Sequence, residues 1–406
     1  MTQDITRAEG SADDFTLTIN AAGDRAAPWT ARQNAILSDA VYTAARDTIS
    51  AWPGYAPTPL HALPARAATL GIAALHYKDE GGRFGLGSFK ALGGAYAVVR
   101  LLQKQVEARL GHPVPMAEII SGAHAEITAG ITVCCATDGN HGRSVAWGAQ
   151  SFGCNCVIFI HATVSEGRKS AIEAYGAGVR RTDGNYDDSV RAAQETADRD
   201  GWFVVSDTSY PGYMEVPKDV MQGYEIMAAE AFDALEQPPS HVFLQTGVGG
   251  MAAAVTAQAK RRWGADRPAI VLADPDLSAC WLESFRAGRP SVIDGDLDTI
   301  MAGLACGEVS SLAWEILEPH ADAALALPDT SAIREMRMLA APLSGDPAIV
   351  AGESAVAGLA GLANVLKVPG ASAALGLGPA SRVLVFGTEG ATDPEVYRAI
   401  IEGREP

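Results

Sequence analysis

Lys90 is the first group in this sequence placed to do chemistry. It closes the run Lys78-Asp79-Glu80-Gly81-Gly82-Arg83-Phe84-Gly85-Leu86-Gly87-Ser88-Phe89-Lys90, and Ala91-Leu92-Gly93-Gly94 follows. Small neighbours and the aromatic Phe89 leave an ammonium poorly solvated. That lowers the amine pKa and supplies free amine at neutral pH. Such an amine condenses with an aldehyde, and the glycines let the backbone approach a planar group closely. Taken alone, Ser-Phe-Lys beside glycines reads as a surface lysine on a flexible loop. Two further glycine-rich elements change that reading.

Thr246-Gly247-Val248-Gly249-Gly250-Met251 lies between an apolar strand pattern and a helical one. Small residues expose successive backbone N–H groups and the helix N-terminus adds positive potential, which together make a phosphate cradle. It is not a Walker A loop, and it lacks the Gly-x-Gly-x-x-Gly spacing of dinucleotide sites. Asp138-Gly139-Asn140-His141-Gly142 offers an amide, Asn140, able to donate to a phenolate-type oxygen. His141 on its own reads as a structural hydrogen-bonding residue. A hydroxyl, Thr388, follows the last apolar strand in Gly387-Thr388-Glu389-Gly390.

One cofactor needs all four: pyridoxal phosphate requires an aldehyde-accepting lysine, a phosphate cup and partners for its ring oxygen and ring nitrogen. Lys90 with Phe89 beside it, Gly247, Val248, Gly249, Gly250 and Met251, Asn140, and Thr388 supply these in turn. A neutral hydroxyl at the ring nitrogen does not force protonation there, which favours elimination over transamination. The sequence predicts no metal ligands: the six cysteines, Cys134, Cys135, Cys154, Cys156, Cys280 and Cys306, form neither a zinc spacing nor a disulfide framework. They read as reduced thiols of a cytoplasmic protein.

Parallel sheet is the arrangement that would present these residues. Apolar runs at Ile131–Ala136, Cys156–Ile160, Gly178–Thr182, Trp202–Ser206, His241–Gln245, Ala269–Ala273 and Val383–Phe386 alternate with helical patterns over 145–152, 168–176, 187–200, 217–234 and about 250–263. Continuous apolar strands separated by helices predict parallel sheet covered on both faces, with ligands beyond the C-terminal strand ends. The expected architecture is two α/β domains: residues 1–91 with 221–406 as the larger, and 92–220 as the smaller. Residues 104–130 read as a charged helix, then Gly111-His112-Pro113, then a loop.

The bulk composition sets outer limits. The chain has 406 residues, 48% of them hydrophobic, and a net charge of −17. It can bury more than one core. The acidic balance repels phosphate backbones and anionic lipid, so nucleic-acid and membrane partners are not expected. The first residues lack the apolar segment of a secretory signal, and no apolar run is long enough to span a bilayer.

The chain resembles the fold type II pyridoxal-phosphate enzymes, the tryptophan synthase β and threonine dehydratase group, from Pro57-Thr58-Pro59-Leu60 to the terminal Gly-Thr-Glu-Gly. Within the group it is most similar to the diaminopropionate ammonia-lyases. The marks are Thr137-Asp138-Gly139-Asn140-His141-Gly142-Arg143, Asp207-Thr208 with Gly212-Tyr213 and Met221-Gln222-Gly223-Tyr224, and Ile300-Met301-Ala302-Gly303-Leu304-Ala305-Cys306-Gly307-Glu308. The resemblance implies two three-layer domains with parallel-rich sheets, the cofactor in the cleft between them, and a homodimer. It implies Lys90 as the Schiff-base lysine, Asn140 at the ring oxygen and Gly247–Gly250 at the phosphate. Asp138 resembles the acid that handles the D-substrate, and Asp207 a second active-site aspartate near the substrate's amino group. Cys280 and Cys306 resemble a pair able to form a disulfide. Ser209-Tyr210-Pro211 departs from the pattern near the substrate end.

The activity implied is α,β-elimination of D- or L-2,3-diaminopropionate to pyruvate and two ammonia. Lys90 would take the Cα proton on its own face, and Asp138 that of the enantiomer. Asp207 would bind the β-ammonium. A serine/threonine or 3-hydroxyaspartate dehydratase, or a related β-elimination or β-replacement enzyme, would keep Lys90, Asn140 and the glycine loop without needing both aspartates. A regulatory protein that binds pyridoxal phosphate or a metabolite without turnover is a further alternative.

Overall fold

The structure is a computed structural model that describes residues 4–6, 14–137, 139–184, 186–295 and 297–404. Its strands are β1 Asp4–Thr6, β2 Thr16–Ile19, β3 Leu60–Ala62, β4 Ala74–Asp79, β5 Thr132–Ala136, β6 Asn155–Ile160, β7 Gly178–Arg181, β8 Phe203–Val204, β9 His241–Gln245, β10 Ala269–Pro275, β11 Ala323–Leu327 and β12 Arg382–Gly387. The chain divides into two compact units. The larger comprises Met1–Ile36, Pro57–Gly82 and Met227–Pro406, and the smaller Leu37–Ala56 and Arg83–Ile226.

The larger unit is built on an eight-stranded sheet in the order β1-β2-β11-β10-β9-β12-β4-β3. Its five central strands, β11 through β4, run parallel, and the outer pairs are antiparallel. Every position of β9, β10 and β11 is buried. That is the expectation for parallel strands covered on both faces. Glycine brings one cover close. In the buried helix Ala357–Val365, a Cβ on Gly358 would lie 2.8 Å from Phe243 O, and one on Gly361 would lie 2.8 Å from Leu325 Cδ1. Phe243, Val271, Leu325, Leu359 and Val383 belong to the resulting core.

The smaller unit carries a four-stranded, all-parallel sheet in the order β7-β6-β5-β8. Cys134 on β5 packs with Phe159, Ala193 and Ala197. Burial pushes its thiol up to about 12, so it is an inert core group. Helix Lys90–Leu110 lies against helix Asn140–Phe152 through two glycines. A Cβ on Gly94 would be 3.0 Å from Ser144 Cβ, and one on Gly148 would be 2.7 Å from Ala95 Cα. The first of these helices stops at Gly111, whose φ of 76° is left-handed and whose N–H donates to Glu107 O at 2.8 Å. Short helices Met116–Ile120 and Ala125–Thr128 then occupy the stretch read from sequence as loop.

Residues 37–56, 83–91 and 221–226, which the sequence pattern assigns to the larger domain, group with the smaller unit. Aromatic packing accounts for it. Trp52 meets Trp147 edge-on at 5.8 Å, Phe152 at 5.4 Å and Phe84 at 5.9 Å between ring centroids. Among the described residues no single helix is long and apolar enough to cross a membrane.

Candidate active site

In the smaller unit, the stretch before Lys90 is a series of left-handed turns: Phe84 at φ 50°, Gly85 at 72° and Gly87 at 80°. The conformation is strained for an aromatic residue. Phe84 is held there by Trp147, 5.0 Å between centroids, and by Trp52. Arg143, from the Asn140 helix, donates to Leu86 O at 2.9 Å and ties the loop down. The loop delivers Lys90 as the first residue of its helix. Its Nζ lies 5.4 Å from the centre of the Phe89 ring and 5.9 Å from that of Tyr224. Those two rings pack at 4.6 Å. Tyr224 fits only because residue 93 is glycine: a Cβ there would be 2.7 Å from Tyr224 Cζ.

Lys90 Nζ is also 2.5 Å from Asp207 Oδ2, 117 residues along the chain. The expectation of a lysine merely deprived of solvent is therefore corrected: an adjacent carboxylate favours the ammonium. Burial pushes the Asp207 carboxyl up, but the Lys90 ammonium and His141 outweigh it. The group is held well below the usual carboxylate range. His141 Nε2 is 2.8 Å from Val205 O. A carbonyl only accepts, so Nε2 carries a proton. Nδ1 faces Asp207 Oδ2 at 3.8 Å. A tight turn sets Asp207 in place: Tyr213 OH accepts from Ser206 N and donates to Val204 O, both at 2.9 Å. The departing Ser209-Tyr210-Pro211 stretch closes this turn, with Tyr210 stacked on Tyr213 at 5.2 Å.

Asn140 begins the next helix, directly after Gly139. Thr137 organises that start: its Oγ1 accepts from Gly139 N at 3.0 Å and from Gly142 N at 3.3 Å. Gly142 is required beside it, since a Cβ would strike the Thr137 methyl and lie 3.0 Å from Ile158 Cγ2. Asp138 lies outside the described residues.

In the larger unit, β9 ends in the turn Thr246-Gly247-Val248-Gly249, and helix Gly250–Trp263 begins there. Gly247 and Gly249 are left-handed, at φ 56° and 102°. A Cβ on Gly249 would run into the Trp281 ring and lie 2.9 Å from Ala313 Cβ. Two of the turn's N–H groups are engaged by one side chain: Thr246 N at 3.1 Å and Gly247 N at 2.9 Å both donate to Asp274 Oδ1. Gly249 N donates to Thr246 O. Gly247 thus shapes the turn, and the donors left for an anion start with Val248 and continue into the first helical turn, which has no intrahelical acceptors. Burial pushes the Asp274 carboxyl up to about 7, against the pull of the Gly247 and Thr246 N–H groups. Gly247 O receives Trp281 Nε1 at 2.9 Å and Cys280 Sγ at 3.7 Å. Cys306 Sγ is 3.6 Å from where a Gly247 Cβ would stand. All six cysteines are thiols in this structure. Thr388, just after β12, is buried, and its Oγ1 accepts from Gln245 Nε2 at 2.7 Å.

Lys90, Phe89, Asn140 and Asp207 therefore belong to one unit, and Gly247, Val248, Gly249, Gly250, Met251 and Thr388 to the other. Sequence reasoning discounted His141, quoted Tyr224 without giving it a role, and passed over Gln245 and Asp274. The last two are polar residues at or beside the C-terminal ends of apolar strands, a signal open to reading. These residues suit pyridoxal phosphate. In the larger unit the turn at Gly249 packs too closely on Trp281 to admit a side chain and its later N–H groups suit a phosphate; in the smaller unit Lys90 is a partly exposed amine.

Comparison with known proteins agrees with this chemistry. The family described as pyridoxal-phosphate dependent enzymes matches residues 51–386, and the chain belongs to that family. Its relatives narrow the class. Diaminopropionate ammonia-lyase of Escherichia coli (strain K12) is 40% identical over 360 residues, covering 86% of this chain and 89% of that one. The crystal structure of the holo E. coli enzyme superposes with a TM-score of 0.87 at 37% identity, covering 96% and 97% of the two chains. A structure of the same enzyme with an aminoacrylate-PLP azomethine reaction intermediate gives 0.85 at 36%, over 96% and 97%. One with D-serine gives 0.86 at 36%, with the same coverage.

Proposed function

We infer that this chain is a pyridoxal-phosphate dependent ammonia-lyase that converts 2,3-diaminopropionate and water to pyruvate and two molecules of ammonia. The observation that carries the substrate is the identity to a diaminopropionate ammonia-lyase along nearly the whole of both chains. The reaction balances: both C–N bonds of the substrate break, and water supplies the ketone oxygen.

Bound pyridoxal phosphate supplies an electron-withdrawing ring that acidifies the substrate Cα–H. Lys90 would hold its aldehyde carbon, with Phe89 beside it. Asn140 would hold the ring oxygen, the N–H groups from Val248 into the first helical turn the phosphate, and Thr388 the ring nitrogen. As a free amine, Lys90 would take the Cα proton at Nζ. The 2.5 Å approach of Asp207 supports that role, because a carboxylate there stabilises the ammonium as it forms. Asp207 also offers its charge to the substrate's β-ammonium, which no hydroxy-amino acid carries. Asp138 is the base proposed for the enantiomer whose proton points away from Lys90. A related enzyme crystallised with D-serine supports a site open to D-amino acids.

The test is product stoichiometry with D- and L-2,3-diaminopropionate, run beside D- and L-serine. Two ammonia per pyruvate from the diamino acids, at rates well above serine, is the expected result. Turnover of serine alone, at one ammonia per pyruvate, overturns the reading in favour of a dehydratase. The proposal extends to a homodimer in the cytoplasm, which light scattering and fractionation check directly.

A further inference from the structure

Gln245 ends β9 with 2% of its surface exposed. Its Nε2 donates to Phe386 O and to Thr388 Oγ1, both at 2.7 Å, with Ala355 O farther away at 3.4 Å. A carbonyl oxygen only accepts, so the short contact with Phe386 O settles which end of the amide is nitrogen. The second N–H then points at Thr388. A hydroxyl has one proton, and Thr388 Oγ1 already accepts from Gln245. Among the described residues it makes no other hydrogen bond, and only 4% of the residue is exposed. Its own proton therefore has no acceptor among the described residues.

We propose that Gln245 is a positioning residue that fixes Thr388 as a hydrogen-bond donor to the cofactor's ring nitrogen and so keeps that nitrogen unprotonated. The proposal rests on the reading of Thr388 as the ring-nitrogen partner. A pyridine nitrogen that accepts a hydrogen bond uses its lone pair to do so and cannot also carry a proton. A neutral ring withdraws fewer electrons than a pyridinium, so negative charge at the substrate's Cα is short-lived and is discharged by loss of the β-substituent. Gln245, which need not touch cofactor or substrate, would thereby bias the enzyme towards elimination.

The experiment uses holoenzyme loaded with cofactor carrying 15N at the ring nitrogen, observed by NMR from pH 6 to 9. Wild type should give an unprotonated pyridine resonance that does not move across this range. Gln245→Glu, in so buried a place, should carry a neutral carboxylic acid. Its O–H would donate to Phe386 O, and its other oxygen would accept from Thr388. The threonine hydroxyl then turns a lone pair to the ring, and the resonance should move upfield into the pyridinium range. Thr388→Val should also displace the wild-type resonance. A pyridinium signal in wild type overturns the proposal whether or not any variant folds. A Gln245→Glu resonance identical to wild type, with Thr388→Val displaced, leaves Thr388 as partner and removes Gln245 from the role. An unmoved Thr388→Val resonance removes both.

Discussion

Lys90 and the Thr246–Gly249 turn both sit at the start of a helix, yet opposite means hold them. Around Lys90 the groups that matter are titratable side chains drawn from distant parts of the smaller unit, Asp207 and His141. Around the turn they are backbone N–H and C=O groups, fixed by Asp274 from one direction and Trp281 and Cys280 from the other. Side chains can exchange protons and change partners during a reaction. A backbone turn cannot, and so suits a phosphate that stays put through every turnover. The difference also predicts how each region fails: the lysine region through chemistry, the turn through shape.

The sharpest break in that comparison comes at the lysine. Lys90→Ala should lower kcat by roughly 10³-fold or more, since nucleophile and base are lost together. Borohydride reduction should then fix no cofactor to the protein, and covalent incorporation in the variant would exclude Lys90 as the attachment point.

Asp207→Asn should come next, at about 10²-fold in kcat. It also tests the electrostatics. A carboxyl held low when folded contributes stability that is complete above its unfolded pKa near 4 and is lost as pH falls below it. The variant's melting temperature should therefore fall less than that of wild type between pH 5 and 2. Parallel curves would show that Asp207 is not held low in the folded protein.

Shape failure should be visible in Gly249→Val. Backbone strain of about 1–3 kcal/mol and overpacking against Trp281 should weaken pyridoxal phosphate binding at least tenfold. Binding of pyridoxal, which lacks the phosphate, should change little. Equal losses for both ligands would mean the turn supports the fold and not the phosphate.

The smallest effect is expected at Asp274. Its folded pKa of about 7 lies above the unfolded value, so wild-type stability should decline as pH rises from about 4 to 7. Asp274→Asn keeps an acceptor for Thr246 and Gly247 without the charge. It should be more stable than wild type at pH 8 by about 1 kcal/mol or more, the worth of one pKa unit, and lose that advantage by pH 4. A constant difference at all pH values would argue against a titrating carboxyl.

The two regions also differed in how far the sequence disclosed them. The turn was legible as a turn because a strand of continuous apolar residues, His241–Gln245, ends in glycines, a pattern shared by phosphate cradles and ordinary strand–helix turns. Lys90 was legible by its neighbours, but its counter-charge was not. Asp207 is 117 residues away, and only the packing of helix Lys90–Leu110 in the smaller unit brings the two within 2.5 Å. Strand β11, Ala-Ala-Leu-Ala-Leu, escaped notice because alanine and leucine suit a helix equally well, and its pairing with β10 decides the matter. The affiliation of residues 37–56 was hidden for a similar reason. An amphipathic helix shows that it packs, but not against what, and the rings that meet Trp52 lie far along the chain.

The glycines flanking the base of Lys90 carry a consequence for timing. Gly93 lies under Tyr224, Gly94 against Ser144, Gly148 against Ala95, and a Cβ on Gly223 would stand 2.7 Å from the Leu92 carbonyl carbon. With backbone and rings in such close contact, the first turn of the lysine helix has no room to slide or tilt. In the roles proposed for it, Lys90 would then move by rotating its own methylenes, a movement of picoseconds to nanoseconds, and not by a collective shift of microseconds to milliseconds. Backbone amides 90–94 should accordingly show flat relaxation-dispersion profiles during turnover. The clock of this enzyme would then be set by bond-making and product departure, with the lysine always ready before they are.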